Sequence, residues 1–232
     1  MASHNSDSDP KFHVFFYRAA VVFVAVTLLG LVLAIFLMIQ PQRLNDVDGL
    51  DASDISGRDV AAVLRESQQR QIPVTLTEEE INRWLARTLE VKQDGMFGMS
   101  LQFNQVAVRL TDGMAEVVME RKLGERLLTV SMFISIDQVR DGDRLRTEMN
   151  LHAGSSRKLP ALMMGGRFGR LIVPQGFLRM VTPAYEGLAE VLQEELENGF
   201  SDMVGIRIED KQVVLDPRMP RRAAGARPGE VE

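Results

Sequence analysis

Twenty-one residues without a charge, Ala19 to Ile39, constrain this chain more than any other stretch. Arg18 precedes the run and Gln40-Pro41 closes it. At about 1.5 Å of rise per residue, a helix of that length crosses a hydrocarbon core of about 30 Å. Phe15, Phe16 and Tyr17 stand just before it, where aromatic rings suit a membrane interface. A cleaved secretory signal shares this outline. Its apolar part is shorter, about 7–15 residues, and it ends at small residues, whereas this run ends Leu37-Met38-Ile39-Gln40-Pro41. The sequence therefore predicts a retained signal anchor. Lys11 and Arg18 lie before the span and Arg43 just after it, so the positive-inside rule places the N-terminus in the cytoplasm and the remainder outside.

The expected division follows from the anchor: a cytoplasmic tail over 1–18, the anchor over 19–40, a juxtamembrane linker over 41–57, one extracytoplasmic domain over 58–217, and a disordered tail over 218–232. The domain is long enough for one real core. The net charge of −5 falls after the anchor, because Asp7 and Asp9 offset Lys11 and Arg18. An overall basic footprint for nucleic acid is missing, so no nucleic-acid partner is expected. There is no cysteine, which removes disulfides, thiol catalysis and thiolate metal sites.

Ser56 and Asp59 stand at capping-box spacing before Val60, Val63 and Leu64, which predicts a short amphipathic helix to about Gln71, stopped by Pro73. Val74-Thr75-Leu76 reads as extended. Thr77-Glu78-Glu79-Glu80 is the clearest local signal: Thr77 caps, Glu80 reaches back, and three carboxylates sit at the positive end of the helix dipole. Ile81, Trp84, Leu85 and Leu89 then share one helical face, with Trp84 expected in the core.

From Met99 the period changes to two. Leu101 and Phe103 alternate out of phase with Val106, Val108 and Leu110, which predicts a bulge near Asn104-Gln105. A turn at Thr111-Asp112-Gly113 leads to Ala115, Val117 and Met119. Leu128 to Ile136 and Leu145 to Leu151 follow as further strands. Four strands on short turns make an antiparallel meander with one buried face, covered by the helices. Thr182-Pro183 starts a second strong helix with Leu188, Val191, Leu192 and Leu196 as its stripe. A hairpin from Met203 to Asp216 turns at Asp210-Lys211. The predicted fold class is α+β: a transmembrane helix, then an antiparallel β-meander packed on amphipathic helices.

An anchor, a linker and "PVTLTEEEINRWLARTL" leading into a meander resemble the YpmS-like family of single-pass bacterial surface proteins, and "VGIRIEDKQVVLDP" is similar to their closing strand pair. The resemblance spans residues 40–217 in order of elements, with a departure at the Gly- and Arg-rich stretch 165–179. It implies an extracytoplasmic sheet wrapping a helix, broadly similar to lipid-binding tubular domains. It carries over no catalytic residue.

Catalytic constellations are not evident. The histidines are His4, His13 and His152, so only one falls in the domain, and neither G-x-S-x-G nor H-E-x-x-H occurs. The chain is expected to be non-enzymatic, with no cofactor and no metal. Gly165-Gly166-Arg167-Phe168-Gly169 lacks the phosphate-loop pattern and reads as flexible chain. What remains is an acid-free region, Ala153 to Tyr185. Its candidate lipid or membrane contacts are Arg157, Lys158, Leu162, Met163, Met164, Arg167, Phe168, Arg170, Phe177 and Arg179. Apolar residues there could dip among headgroups while arginines meet phosphate. Alternatively they could line an amphiphile-binding groove, or form a plain cover whose arginines pair with acids elsewhere. The expected partner is membrane lipid. The competing expectation is a structural or adaptor subunit that contacts other membrane proteins.

Overall fold

The computed structural model describes residues 10–50, 58–96, 102–141, 144–150, 164–193 and 203–218. It is an α+β structure with a long apolar helix and two antiparallel sheets. Helix α1, Pro10–Ile39, has 30 residues and so begins well before the uncharged run. Its stretch Val14–Ile39 is long and apolar enough to cross a membrane, as an anchor or signal sequence does. Residues 14–33 are exposed throughout, whereas Ala34, Leu37 and Gln40 are partly covered.

Helix α2, Val60–Arg70, is capped by Asp59, whose side chain accepts from Ala62 N. Gln71 ends it in the left-handed region, two residues before Pro73. Strand β1, Val74–Thr77, runs directly into α3, Glu78–Met96. The capping box at that junction is reciprocal: Glu80 N donates to Thr77 Oγ1 at 3.2 Å and Thr77 N donates to Glu80 Oε2 at 3.0 Å.

Strands β2 (Gln102–Thr111), β3 (Met114–Leu123), β4 (Arg126–Asp141) and β5 (Arg144–Asn150) form the meander. The register shift between Phe103 and Gln105 falls where the change of phase requires it. It turns the amides of Asn104 and Gln105 onto buried Glu120.

The region after the meander contains two strands that its composition does not suggest. β6 (Met164–Phe168) and β7 (Leu171–Pro174) make a hairpin, followed by a 3-10 turn over Gln175–Met180. β6 pairs with β4 at Val130–Met132, extending the sheet to the order β2-β3-β4-β6-β7. β5 pairs with the far part of β4. Gly166 is a packing residue here, not a breaker: a Cβ on it would collide with the backbone carbonyl of Ser131.

Helix α4, Thr182–Val191, starts with Pro183 in its first turn. The closing hairpin, β8 (Gly205–Glu209) and β9 (Gln212–Asp216), does not stand alone; β9 also pairs with β1, giving a second sheet of order β1-β9-β8.

One core holds the layers together. Val106, Val108, Leu110, Met119 and Met132 on the inner face of the larger sheet meet Leu64 of α2, Leu85 and Leu89 of α3, Leu188, Val191 and Leu192 of α4, and Ile206, Ile208, Val213 and Leu215 of the smaller sheet. Trp84 packs against this cluster, partly buried. Tyr185 reaches across from α4 with its hydroxyl 3.0 Å from both Val117 O and Val130 O, tying the helix to two strands. Burial, reinforced by the negative charge of Glu116, pushes its phenol pKa well above the ordinary range.

Candidate functional site

The outer face of the meander is expected to meet water, yet Ala107 and Val118 there are fully buried. Their cover is residues 41–50, the first part of the expected linker. Gln42 N donates to Thr129 Oγ1 on β4 at 2.9 Å, and Arg109 of β2 donates to Arg43 O at 3.0 Å and to Asp46 at 2.9 Å. Val47 then packs on Ala107 and Val118, with Leu44 and Leu50 beside it. The segment is a strap that crosses the sheet from β4 to β2.

Under the strap lies a buried polar cluster. Glu116, 1% exposed, accepts from Arg109 Nη1 at 2.6 Å and from Ser131 Oγ at 2.6 Å. Arg167 approaches the same carboxylate at 3.5 Å and lies over the ring of Phe133. Its backbone N–H donates to Ser131 Oγ at 3.1 Å, so β6 is fastened to the cluster twice. Burial disfavours the charged form of Arg109, but Glu116 and Asp46 outweigh it and hold its pKa above the usual value. Both Glu116 oxygens are engaged by partners and shielded from solvent, which suits a structural anchor and gives a substrate no approach.

A second buried cluster finishes the edge of β2. Asn82 of α3 accepts from Val108 N at 2.6 Å and donates to Val108 O at 2.8 Å, as a neighbouring strand would. It also donates to Asp48 O of the strap at 2.8 Å. Glu78, fully buried, accepts from Leu110 N at 2.6 Å, Asp48 N at 3.0 Å and Lys211 Nζ at 2.6 Å. Two helix side chains thus seal a sheet edge and hold the strap at once. The hydrogen bond to Glu78 holds the Lys211 ammonium above its ordinary pKa.

The third contact joins the domain to α1. The β6–β7 turn sits on the end of that helix: Arg170 N donates to Leu37 O at 3.0 Å, and its guanidinium donates to Gln40 Oε1 at 2.9 Å. Gly169, at φ +55, occupies a place where a Cβ would collide with the carbonyls of Leu37, Met38 and Gln40. A basic residue and a free N–H at a helix C-terminus complement both its unpaired carbonyls and its dipole.

Of the residues singled out from the sequence, Arg157, Lys158, Leu162 and Met163 lie outside the described residues, as does His152. Met164, Arg167 and Phe168 come together on β6, but Arg167 turns inward to Glu116. Arg170 reaches Gln40 at the end of α1. Phe177 and Arg179 are exposed on the 3-10 turn, beside exposed Ile172 and Met180. Among the described residues no three metal-ligating side chains converge. Sequence reasoning missed the roles of Glu78, Asn82 and Glu116. Glu78 and Asn82 have one legible signal, a carboxylate and an amide falling on the helix face otherwise bound for the core; Glu116 has none, since it lies on the alternate, outer face of β3.

Fold and contacts define an α+β domain docked on the end of a long exposed apolar helix. Compared with models of known protein families and with curated protein sequences, the chain matches none.

Proposed function

We propose that the chain is a membrane-anchored, non-catalytic domain that works at the outer face of a cytoplasmic membrane and binds or handles a lipid or other envelope amphiphile. The supporting observation is the seat of the β6–β7 turn on the last residues of α1. A signal sequence has no need of a built contact to the mature domain, so this seat favours a retained anchor. With α1 in a bilayer, the basic and apolar residues that follow Met164 stand at headgroup level. The resemblance to the YpmS-like family points the same way. In this reading the kinship to tubular lipid-binding domains is one of layers. The amphiphile meets the surface, because Tyr185, Leu188, Leu192, Met119 and Met132 all belong to one buried core cluster.

The alternative, an adaptor subunit of a membrane protein complex, draws support from that solid packing and from the exposed Ile172, Phe177 and Met180. Photo-cross-linking separates the two. The full chain is reconstituted into vesicles carrying a photoactivatable anionic phospholipid, and adducts are mapped by mass spectrometry. Adducts on 164–180 as well as on α1 are expected. Adducts confined to α1 would refute lipid contact by the domain and leave the adaptor.

A further inference from the structure

The two ends of the larger sheet are finished differently. At one end the β2–β3 turn is tied down: Gly113 N donates to Ile208 O at 2.9 Å, and Lys211 N donates to Leu110 O at 3.3 Å. At the other end the β3–β4 turn stands free. Residues 122–127 are all exposed, with Leu123 57% and Leu127 38% accessible.

The free end is the one that meets the anchor. Gly169 N, in the turn seated on α1, donates to Thr129 O at 2.7 Å, and Gln42 N donates to the Thr129 side chain. Thr129 lies three residues from Arg126, where β4 begins. At about 3.3 Å per residue the hairpin therefore overhangs the point where the anchor joins by about 10 Å. β6 pairs only with Val130–Met132 and does not cover that overhang.

The tip is amphiphilic on both faces. Lys122 is paired with Leu127 and Leu123 with Arg126, and residues directly opposite in an antiparallel pair share a face. Each face thus carries one leucine and one base. Arg121, half-buried and donating from Nε to Met119 Sδ at 3.3 Å, adds a third base at the root of the tip, and Glu125 is the tip's one acid. Among the described residues no carboxylate pairs with Lys122 or Arg126. Long basic side chains can keep their heads in the headgroup layer while neighbouring leucines go deeper.

We propose that the β3–β4 tip, residues 121–127, is a second membrane contact: Leu123 and Leu127 enter the interface, and Arg121, Lys122 and Arg126 meet the phosphates of anionic lipids in the bilayer that α1 crosses. The proposal rests on the anchored reading above. Its charge and its continuity with the anchor's seat both select a lipid surface as the occupant.

The lack of native cysteine makes site-specific labelling clean. Full-length Leu123→Cys, Phe177→Cys and Asp112→Cys variants carry an environment-sensitive fluorophore and are reconstituted into nanodiscs with and without anionic phospholipid. Nitroxide-labelled lipid serves as quencher. The expected result is blue-shifted, quenched emission at 123 with anionic lipid, and water-like emission at 112. Each basic side chain near an anionic surface strengthens association by about five-fold, so Lys122→Glu with Arg126→Glu should lower the inserted fraction by more than that. Hydrogen exchange of the unlabelled chain over 122–127 checks that the dye does not drive insertion. Quenching at 177 but not at 123 overturns the hairpin contact alone. Quenching at neither, with α1 in the bilayer, overturns the lipid-handling reading too. Equal quenching at 123 in both lipids overturns the headgroup assignment.

Discussion

Glu78, Glu79 and Glu80 are three consecutive carboxylates in the first turn of one helix, and the structure predicts that removing them has unequal consequences. Glu78→Ala takes the acceptor from two backbone N–H groups, Leu110 in the core and Asp48 in the strap. Each buried donor left unpaired costs about 1–3 kcal/mol. Lys211 also loses its partner, but its side chain is 41% exposed and water compensates, so that contact adds little. Two such donors put the expected loss at about 2–6 kcal/mol. At about 2–4 °C per kcal/mol for a domain of this size, the melting temperature should fall by about 4–24 °C. Glu79→Ala removes an exposed pair with Arg83 one turn away, which contributes only about 0.2–0.5 kcal/mol. Trp84 is the sole tryptophan and sits on α3 against the core, so its emission in detergent micelles follows the domain and not α1. A Glu78→Ala variant that melts within about 2 °C of the parent, a shift worth at most ~1 kcal/mol, would refute the edge-sealing argument.

Gly169→Ala should free the domain from α1, since the new Cβ meets the carbonyls of Leu37, Met38 and Gln40 at its end and the left-handed backbone resists a side chain. Hydrogen exchange at the Arg170 amide should accelerate at least about ten-fold, the factor for ~1.4 kcal/mol of local opening, while the Trp84 melt shifts less than in Glu78→Ala. An Arg170 amide as protected as in the parent would sink the idea. The strap should loosen in acid. Burial raises the Asp46 pKa, but its hydrogen bond and attraction to Arg109 outweigh this and hold it below its ordinary 3.8. A depressed folded value means stability present above 3.8 and lost as pH falls through the folded value. Lys211 runs opposite: its raised value gives stability below 10.5 that is lost as pH climbs past it. Denaturation midpoints for the parent and Asp46→Asn should diverge least in acid, where Asp46 is protonated anyway; parallel curves across that range would contradict the assignment.

Much of the fold was legible because its signals are local. The capping box at Thr77 and Glu80, the turn at Gly113 and the phase change at Phe103–Gln105 each depend on a few neighbouring residues. The α2 cap sits at Asp59, whose side chain reaches Ala62 N, whereas the capping-box spacing puts Asp59 three residues inside a helix capped by Ser56, which lies outside the described residues. What escaped depends on distant partners. Met164-Gly165-Gly166-Arg167-Phe168 shows no alternation, and its glycines look like breakers until Ser131 is placed against Gly166. Glu78 satisfies a helix-dipole reading completely, yet its burial is decided by Leu110, Asp48 and Lys211. Residues 41–50 are mostly polar, and the three-residue spacing of Leu44, Val47 and Leu50 matches neither a strand nor a sustained helix, so the pattern does not by itself separate a docked strap from a free tether. Of the candidate site, the basic and apolar character was visible. The inward turn of Arg167 was not, because its partner Glu116 lies on a strand read only for its apolar face.

In the proposed anchored reading, the strap changes what α1 does mechanically. A free linker of about ten residues would let the domain range over roughly 15–20 Å from the membrane in any orientation. Here the chain leaving α1 is bonded at once to Thr129, then to Arg109, and is held at its far end by Asn82 and Glu78. The orientation of α1 is thereby handed to the sheet, and through α3 to the core. With α1 in a bilayer as proposed, a domain held this way would present the same residues to the lipid at all times, so the ordering cost of each surface contact would be met once, by folding. Individually weak contacts then suffice. Two leucines and three bases at a hairpin tip would not recruit a soluble protein to lipid, but on a chain already fixed at the anchor's exit they have only to settle a local equilibrium. The buried carboxylates of Glu78 and Glu116 make sense in the same terms: Glu78 ties the strap to β2 directly and Glu116 holds the Arg109 that bonds to the strap, at points where apolar packing alone would let a ten-residue segment slide.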